Sequence, residues 1–206
     1  MVARNYRGDH RFTCVTDDPA GIDADVRIVP LWDDFANVPS PHGERNPSCY
    51  RRLKLFSLEA ATLIGPRFVS LDLDCVITGD MTPVWDRSED FMVWGDTNPT
   101  TAYNCSMMLL TAGARPKVWT TFDPTTSPRK AKAAQCWGSD QGWISYCLGP
   151  NEKKWTRADG VYSWRNDLKP KRAALPGDAR IVFWHGRDDP WGQVGQSSAW
   201  VREHWR

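Results

Sequence analysis

The run Arg67-Phe68-Val69-Ser70-Leu71-Asp72-Leu73-Asp74 decides how this chain is read. It is almost wholly apolar before the acids and reads as a buried sheet strand. On a strand, residues at i and i+2 face the same side, so Asp72 and Asp74 fall together. Two carboxylates that close cannot both stay ionised in a dry site without a cation. A hard divalent ion, Mn²⁺ or Mg²⁺, resolves the conflict. Such ions are typically held by one or two carboxylates plus substrate phosphates. The stretch therefore predicts a metal–diphosphate site at the carboxyl end of a strand.

On either side, strands and helices alternate. Residues 10–16 and 26–30 read as short strands joined by the turn Asp17-Asp18-Pro19-Ala20-Gly21. A helix is expected over 48–64, capped by Ser48, striped by Leu53, Phe56, Ala60 and Leu63, and stopped by Gly65-Pro66. Further strands are expected at 91–95, 105–111 and 181–184, with helices at 112–122 and 139–148. This pattern argues an α/β fold with a mixed sheet flanked by helices. Ligands of such sheets bind outside the carboxyl ends of strands, where Asp72 and Asp74 stand.

At 206 residues and 23.4 kDa the chain reads as one domain, 1–206, able to bury a real core. Its net charge of +1 argues against nucleic acid as a partner. No apolar stretch has the length of a transmembrane segment, and Met1 to Arg7 lacks a signal-peptide core. Six cysteines form no CxxC pair, and several lie in apolar runs, which predicts a reduced, cytoplasmic protein. The 12 tryptophans read chiefly as packing, with sugar stacking as the functional alternative. The cations Arg129, Lys130 and Lys132, and again Lys169, Lys171 and Arg172, read as solvated loops.

Four segments stand in order along the chain. They are Tyr50-Arg51-Arg52-Leu53-Lys54-Leu55; Phe68 to Ile77 with Asp80-Met81-Thr82-Pro83-Val84-Trp85; Tyr103-Asn104-Cys105-Ser106-Met107-Met108; and Gly138-Ser139-Asp140-Gln141 with Trp184-His185-Gly186-Arg187-Asp188-Asp189-Pro190-Trp191. Together they resemble the GT-A nucleotide-sugar glycosyltransferases, particularly the glycogenin-like group, over roughly His10 to Trp191. A DxD pattern alone is weak; followed by N-x-S, D-Q and H-G-x-x-x-P-W it is far more specific.

The resemblance implies a GT-A-like, Rossmann-like fold and transfer of a hexose from a nucleotide-sugar donor to an acceptor glycan or small molecule, with retention of configuration. It implies Mn²⁺ or Mg²⁺ held by Asp72, Asp74 and His185. Lys54 and Arg187 would meet phosphate or the donor sugar, beside Gly186. Asp72 would also reach the ribose in the family's manner, Asn104 and Ser106 would line the sugar pocket, and Asp140 with Gln141 would stand near the reacting carbon. Plainer readings stay open beside these. Asp72 and Asp74 could cap a strand–loop junction, Asp140 could be a helix-start acid, His185 a structural histidine, and Asn104 and Ser106 turn residues.

Three departures matter. Asp189 occupies the place of the family's phosphate-binding lysine, and His185 sits directly before Gly186 rather than earlier. The family's first strand has no counterpart, since Met1 to Tyr6 resembles the helix after it. That implies a truncated chain, a late start, or a branch that binds its nucleotide differently, with an apolar sheet edge uncovered. Two other functions fit parts of the pattern. Asp72-Leu73-Asp74-Cys75-Val76-Ile77 also resembles the nucleophile motif of haloacid-dehalogenase-like phosphatases. A non-catalytic, carbohydrate-binding pseudoenzyme would also explain the departures.

Overall fold

The α/β architecture expected from the alternation is observed, with sheets of mixed direction flanked by short helices in a single domain. The structure, a computed structural model, describes residues 1–43, 46–95, 101–169 and 174–205. The chain opens with α1 (Val2–Asn5), then β1 (Thr13–Thr16) and β2 (Arg27–Pro30), which pair in parallel. A 3-10 helix (Cys49–Phe56) and α2 (Ala60–Leu63) lead into β3 (Arg67–Leu71) and β4 (Cys75–Ile77). Then come α3 (Thr82–Trp85), β5 (Phe91–Gly95), β6 (Tyr103–Thr111), α4 (Lys117–Thr120), α5 (Ser127–Ala133) and α6 (Asp140–Leu148). The last third holds β7 (Lys154–Trp155), β8 (Val161–Ser163), a π turn (Trp164–Leu168), β9 (Ile181–Phe183), α7 (Gln193–Ser197) and α8 (Ala199–His204).

A four-stranded sheet, ordered β3-β6-β5-β7, separates two apolar cores. Phe68, Phe91, Val93, Met108 and Leu110 face one core with Tyr50, Leu53 and Phe56 of the 3-10 helix. Val69, Leu71, Met92, Trp94, Met107 and Leu109 face the other, with Trp155 and Phe183. The period-2 alternation of the strands produces this division. Each such large side chain, once buried, contributes roughly 1.5–3 kcal/mol. A second sheet, ordered β4-β9-β8, closes the latter core and turns Val76 and Val182 toward a third cluster with Trp184 and Val201. Trp164 stacks on Trp184 there, with ring centroids 4.1 Å apart. Trp85, Trp94, Trp143, Trp155 and Trp184 are all buried, in line with a packing role. No helix among the described residues is long and apolar enough to cross a membrane.

Several elements differ from expectation. The helix expected over 48–64 is split. Ser57 adopts an extended backbone and its hydroxyl accepts the Ala60 N–H at 3.3 Å, so a local side-chain bond competes with helix propagation. Ser48 makes no cap, and its hydroxyl is buried without a partner. The helix expected over 112–122 shrinks to α4, because Gly113 takes φ +75° and Pro116 starts the helix anew. The basic stretch at Arg129, Lys130 and Lys132 is helix α5 rather than a loop. Lys171 and Arg172 lie outside the described residues.

The decisive strand also departs. β3 is half-buried rather than buried, and among the described residues it pairs with β6 alone, at the edge of its sheet. Asp72, Leu73 and Asp74 lie just beyond it, in the bend that carries the chain from the four-stranded sheet into β4 of the other sheet. The two acids are therefore brought together by a sheet-to-sheet crossover rather than by strand alternation.

Candidate active site

The crossover is pinned at both ends by backbone bonds. The Asp72 N–H donates to the Ser106 carbonyl at 2.9 Å, and the Trp184 N–H donates to the Asp74 carbonyl at 2.7 Å. Asp72 thus hangs on β6 and Asp74 on the end of β9. Leu73, between them, is 81% exposed, so the bend stands at the surface.

β6 is irregular where it meets this bend. Val93 pairs with Met108 and Trp94 with Asn104, so residues 105–107 bulge out of the ladder. Asn104 borders the bulge, Ser106 lies within it, and both are buried. The Asn104 side-chain carbonyl accepts the Ser106 N–H at 3.0 Å and fixes the turn. The pair lies within β6 rather than in a turn before it, and the Ser106 carbonyl meets the Asp72 N–H.

The residue that ties the site together is Arg52. Its guanidinium donates to Asp72 Oδ1 at 2.6 Å and to the Cys105 carbonyl at 3.2 Å, and stands 3.3 Å from Asp140 Oδ2. Asp140 is buried in the first turn of α6, which Ser139 caps by accepting the Gly142 N–H at 3.3 Å. Asp140 Oδ2 faces Arg52 but receives no well-aligned hydrogen bond, which is unusual for a buried carboxylate oxygen. Burial and the adjacent Asp140 charge push the Cys49 thiol up to about 12. The Tyr50 hydroxyl bonds the Gly138 carbonyl and holds this loop from behind.

Reading the sequence alone misses Arg52 and favours Lys54. The distinction lies in the helix type. In a 3-10 helix, side chains at i and i+3 eclipse. Cys49 and Arg52 therefore share the face toward Asp140. Arg51 and Lys54 share another, where Arg51 bonds the Trp32 carbonyl at 2.8 Å and Lys54 meets Asp34 at 2.6 Å and Glu59 at 3.0 Å. The structure thus places Lys54 in a buried ion-pair group rather than beside Asp72. A second missed residue is Gly142. A Cβ there would lie 1.4 Å from the Trp137 carbonyl oxygen, so only glycine lets the 137–139 loop lie against α6.

The other half of the site carries unmatched charge. Burial, then Asp72, with a further contribution from Asp189, push the Asp74 carboxyl up to about 6. No lysine or arginine among the described residues forms an ion pair with Asp74. This hard oxygen pair, short of positive charge, fits a divalent cation. The third expected ligand is not gathered in. His185 Nε2 stands 2.8 Å from Ser163 Oγ, and its ring lies edge-on to Trp94. No group of three His, Cys, Asp or Glu side chains among the described residues is placed to hold an ion.

The closing segment is anchored by Asp188, which accepts from Trp164 Nε1 at 3.0 Å and pairs with Lys169 at 2.6 Å. Gly186 turns with φ +121°, a region favouring glycine, and Arg187 is exposed. Gln141 follows Asp140 on α6 and is partly buried.

Comparison with solved structures shows the same fold. The chain aligns with the galactosyltransferase LgtC, solved in complex with donor and acceptor sugar analogs, at a TM-score of 0.57 and 15% sequence identity. The alignment covers 89% of this chain and 74% of that one. An active-site mutant of LgtC aligns at 0.57 and 16%, covering 89% and 75%. The apo-form glycosyltransferase GlyE of Streptococcus pneumoniae is more distant, at 0.48 and 13%, covering 77% and 46%. No protein-family model matches the chain, and no curated protein matches its sequence. The chain therefore shares the GT-A-like fold of these glycosyltransferases.

Proposed function

We propose that this chain is a single-domain glycosyltransferase that moves a hexose from a nucleoside-diphosphate sugar to an acceptor glycan or small molecule. The observation that carries this reading is the Asp72–Arg52–Asp140 bridge. One guanidinium joins the acid of the diphosphate end to the acid of the sugar end. The GT-A-like fold supports the same reading by analogy only.

In this scheme Arg52 orients both carboxylates and balances their charge. Asp140, with Gln141 beside it, holds donor-sugar hydroxyls near the reacting carbon, and the 105–107 bulge with Asn104 and Ser106 lines the sugar pocket. Gly186 and Arg187 lie at the exposed mouth, where Arg187 meets phosphate oxygens. Mn²⁺ or Mg²⁺, held by Asp72 and Asp74, would supply Lewis-acid stabilisation of the departing diphosphate. Transfer with retention would follow the glycogenin-like pattern. All six cysteines are free, which suits a reducing compartment such as the cytoplasm.

A thermal-shift panel of nucleotide sugars with and without Mn²⁺ tests the reading, since a ligand of the native state raises apparent stability. The expected result is a metal-dependent shift with at least one donor, lost in Asp140→Asn for the intact sugar nucleotide but kept for the free nucleotide. No shift with any donor, together with metal-dependent hydrolysis of p-nitrophenyl phosphate, would transfer the assignment to the phosphatase alternative. Proton NMR of the product's anomeric signal decides retention.

A further inference from the structure

Two tryptophan side chains stand out from the packing, Trp137 and Trp191, each 52% exposed. Trp191 leans on Trp205, with ring centroids 5.7 Å apart. Trp137 has no aromatic neighbour among the described residues, and its indole N–H meets no acceptor there. A single exposed aromatic is ordinary on a protein surface. What sets this one apart is the backbone that carries it.

Residues 135–139 are fastened on three sides. Gln135 takes φ +59° as the chain leaves α5, and the Cys136 N–H donates to the Ala131 carbonyl at 2.9 Å. The Trp137 carbonyl accepts the Ser139 N–H at 2.9 Å and lies where a Cβ on Gly142 would stand, which seats the loop on α6. The Tyr50 hydroxyl of the 3-10 helix holds the Gly138 carbonyl. The exposed ring is therefore mounted on a fixed base, and a group presented in place costs less to order on binding than a mobile one.

The same base carries Asp140. Three residues span at most about 11 Å even when extended. This stretch is folded, so the Trp137 backbone stands within the length of a disaccharide from Asp140. From Asp74 and Asp72, through Arg52, to Asp140, the proposed site runs from the diphosphate to the donor sugar. Trp137 belongs to the sugar end, since its loop bonds to α5, α6 and Tyr50 and makes no printed bond to the crossover at 72–74 among the described residues. A flat apolar face there suits the C–H face of a pyranose ring, with the indole N–H able to donate to a ring hydroxyl. We infer that Trp137 is the stacking platform for a pyranose acceptor, a role that rests on the transferase reading above. It sets the acceptor beside Asp140 and takes no part in bond-making.

The test is a nitrogen–proton NMR titration of the full chain, free of metal and nucleotide, with methyl β-D-galactopyranoside, methyl β-D-glucopyranoside and glycerol. Trp137→Phe identifies the Trp137 indole signal by its loss. At least one glycoside is expected to move that signal to saturation, and glycerol to leave it still. Followed at the Gly138 amide, Trp137→Ala should weaken binding of that glycoside about tenfold, and Trp137→Phe should keep it within about threefold. The nucleotide-sugar thermal shifts should be the same in Trp137→Ala as in the parent. A Trp137 signal unmoved by both glycosides, or equal binding in Trp137→Ala, would overturn the assignment, and donor shifts that persist would leave the transferase reading standing. Donor shifts lost in Trp137→Ala would move the ring to the donor and end its acceptor role. Glycosides that bind at Trp137 on a chain taking no donor would sink the acceptor role together with the transferase reading.

Discussion

The two halves of the candidate site are built on opposite electrostatic plans. On the β3–β6 side, Arg52 answers two acids at once and touches the backbone of the β6 bulge as well. On the β9 side, Asp74 is half-buried, has no ion-pair partner among the described residues, and is pressed by the charges of Asp72 and Asp189. The first half is complete without a ligand and acts as a frame. The second is costly as it stands and gains from any cation that arrives. A chain that places a satisfied half against an unsatisfied one keeps its geometry while reserving binding energy for the substrate complex.

The sharpest way to break this contrast is at Asp74. Asp74→Ala should abolish metal-dependent turnover, a loss of about a thousandfold if several kcal/mol of leaving-group stabilisation go with the ion. The fold should survive, with an unfolding midpoint equal to or above that of the parent, because an unmatched buried charge has been removed. Parent-level turnover in this variant would show that the acidic pair is not the site.

Arg52→Ala should do the opposite to stability. It leaves Asp72 and Asp140 without their shared partner, and chemical denaturation should show a loss of about 2 kcal/mol, less than a fully buried pair because both Arg52 and Asp72 are partly exposed. Turnover should fall about a hundredfold. Arg52→Lys should recover little of either, since one ammonium cannot span two carboxylates and a carbonyl as the planar fork does.

Gly142→Ala probes the frame without touching a charge. In an ordinary helix interior, alanine is more stable than glycine by roughly 0.5–1 kcal/mol. Here the Trp137 carbonyl occupies the place of the new methyl, so a destabilisation of about 1–2 kcal/mol is expected, with Asp140 displaced and donor KM raised. A stabilised variant would mean that the 137–139 loop does not lie as described. Smallest is Lys54→Met. Lys54 sits with Asp34 and Glu59, away from Asp72, and should cost about 1 kcal/mol while lowering turnover far less than Arg52→Ala. Equal kinetic losses at the two positions would erase the division of the 3-10 helix into two faces.

These positions also show what one-dimensional patterns carry. β5, β9 and α6 stand close to where their apolar runs and the Ser139 cap predict, because burial period and capping are local signals. Asp72 and Asp74 are legible as site candidates for the same reason, charge at the end of an apolar run being conspicuous, whereas Asp140 is singled out only by the D-Q segment of the resemblance. Arg52 is not, since three cations crowd six residues and only the 3-10 period separates their faces. The β6 bulge is equally silent, because the run from Asn104 to Met108 looks the same whether or not it pairs residue for residue. The edge position of β3 depends on its neighbours, which no run of its own residues encodes. His185 departs from expectation through a partner, Ser163, that lies 22 residues away in the chain.

The bend at residues 72–74 is a seam between two pleated layers, stitched to one through the Ser106 carbonyl and to the other through the Trp184 amide. Sliding either layer against the other must therefore alter the spacing of the two acidic side chains. The relation runs both ways, so whatever bridges those side chains rivets the layers together and slows deuterium uptake at Ile77 and Phe183, well inside a region no sugar touches.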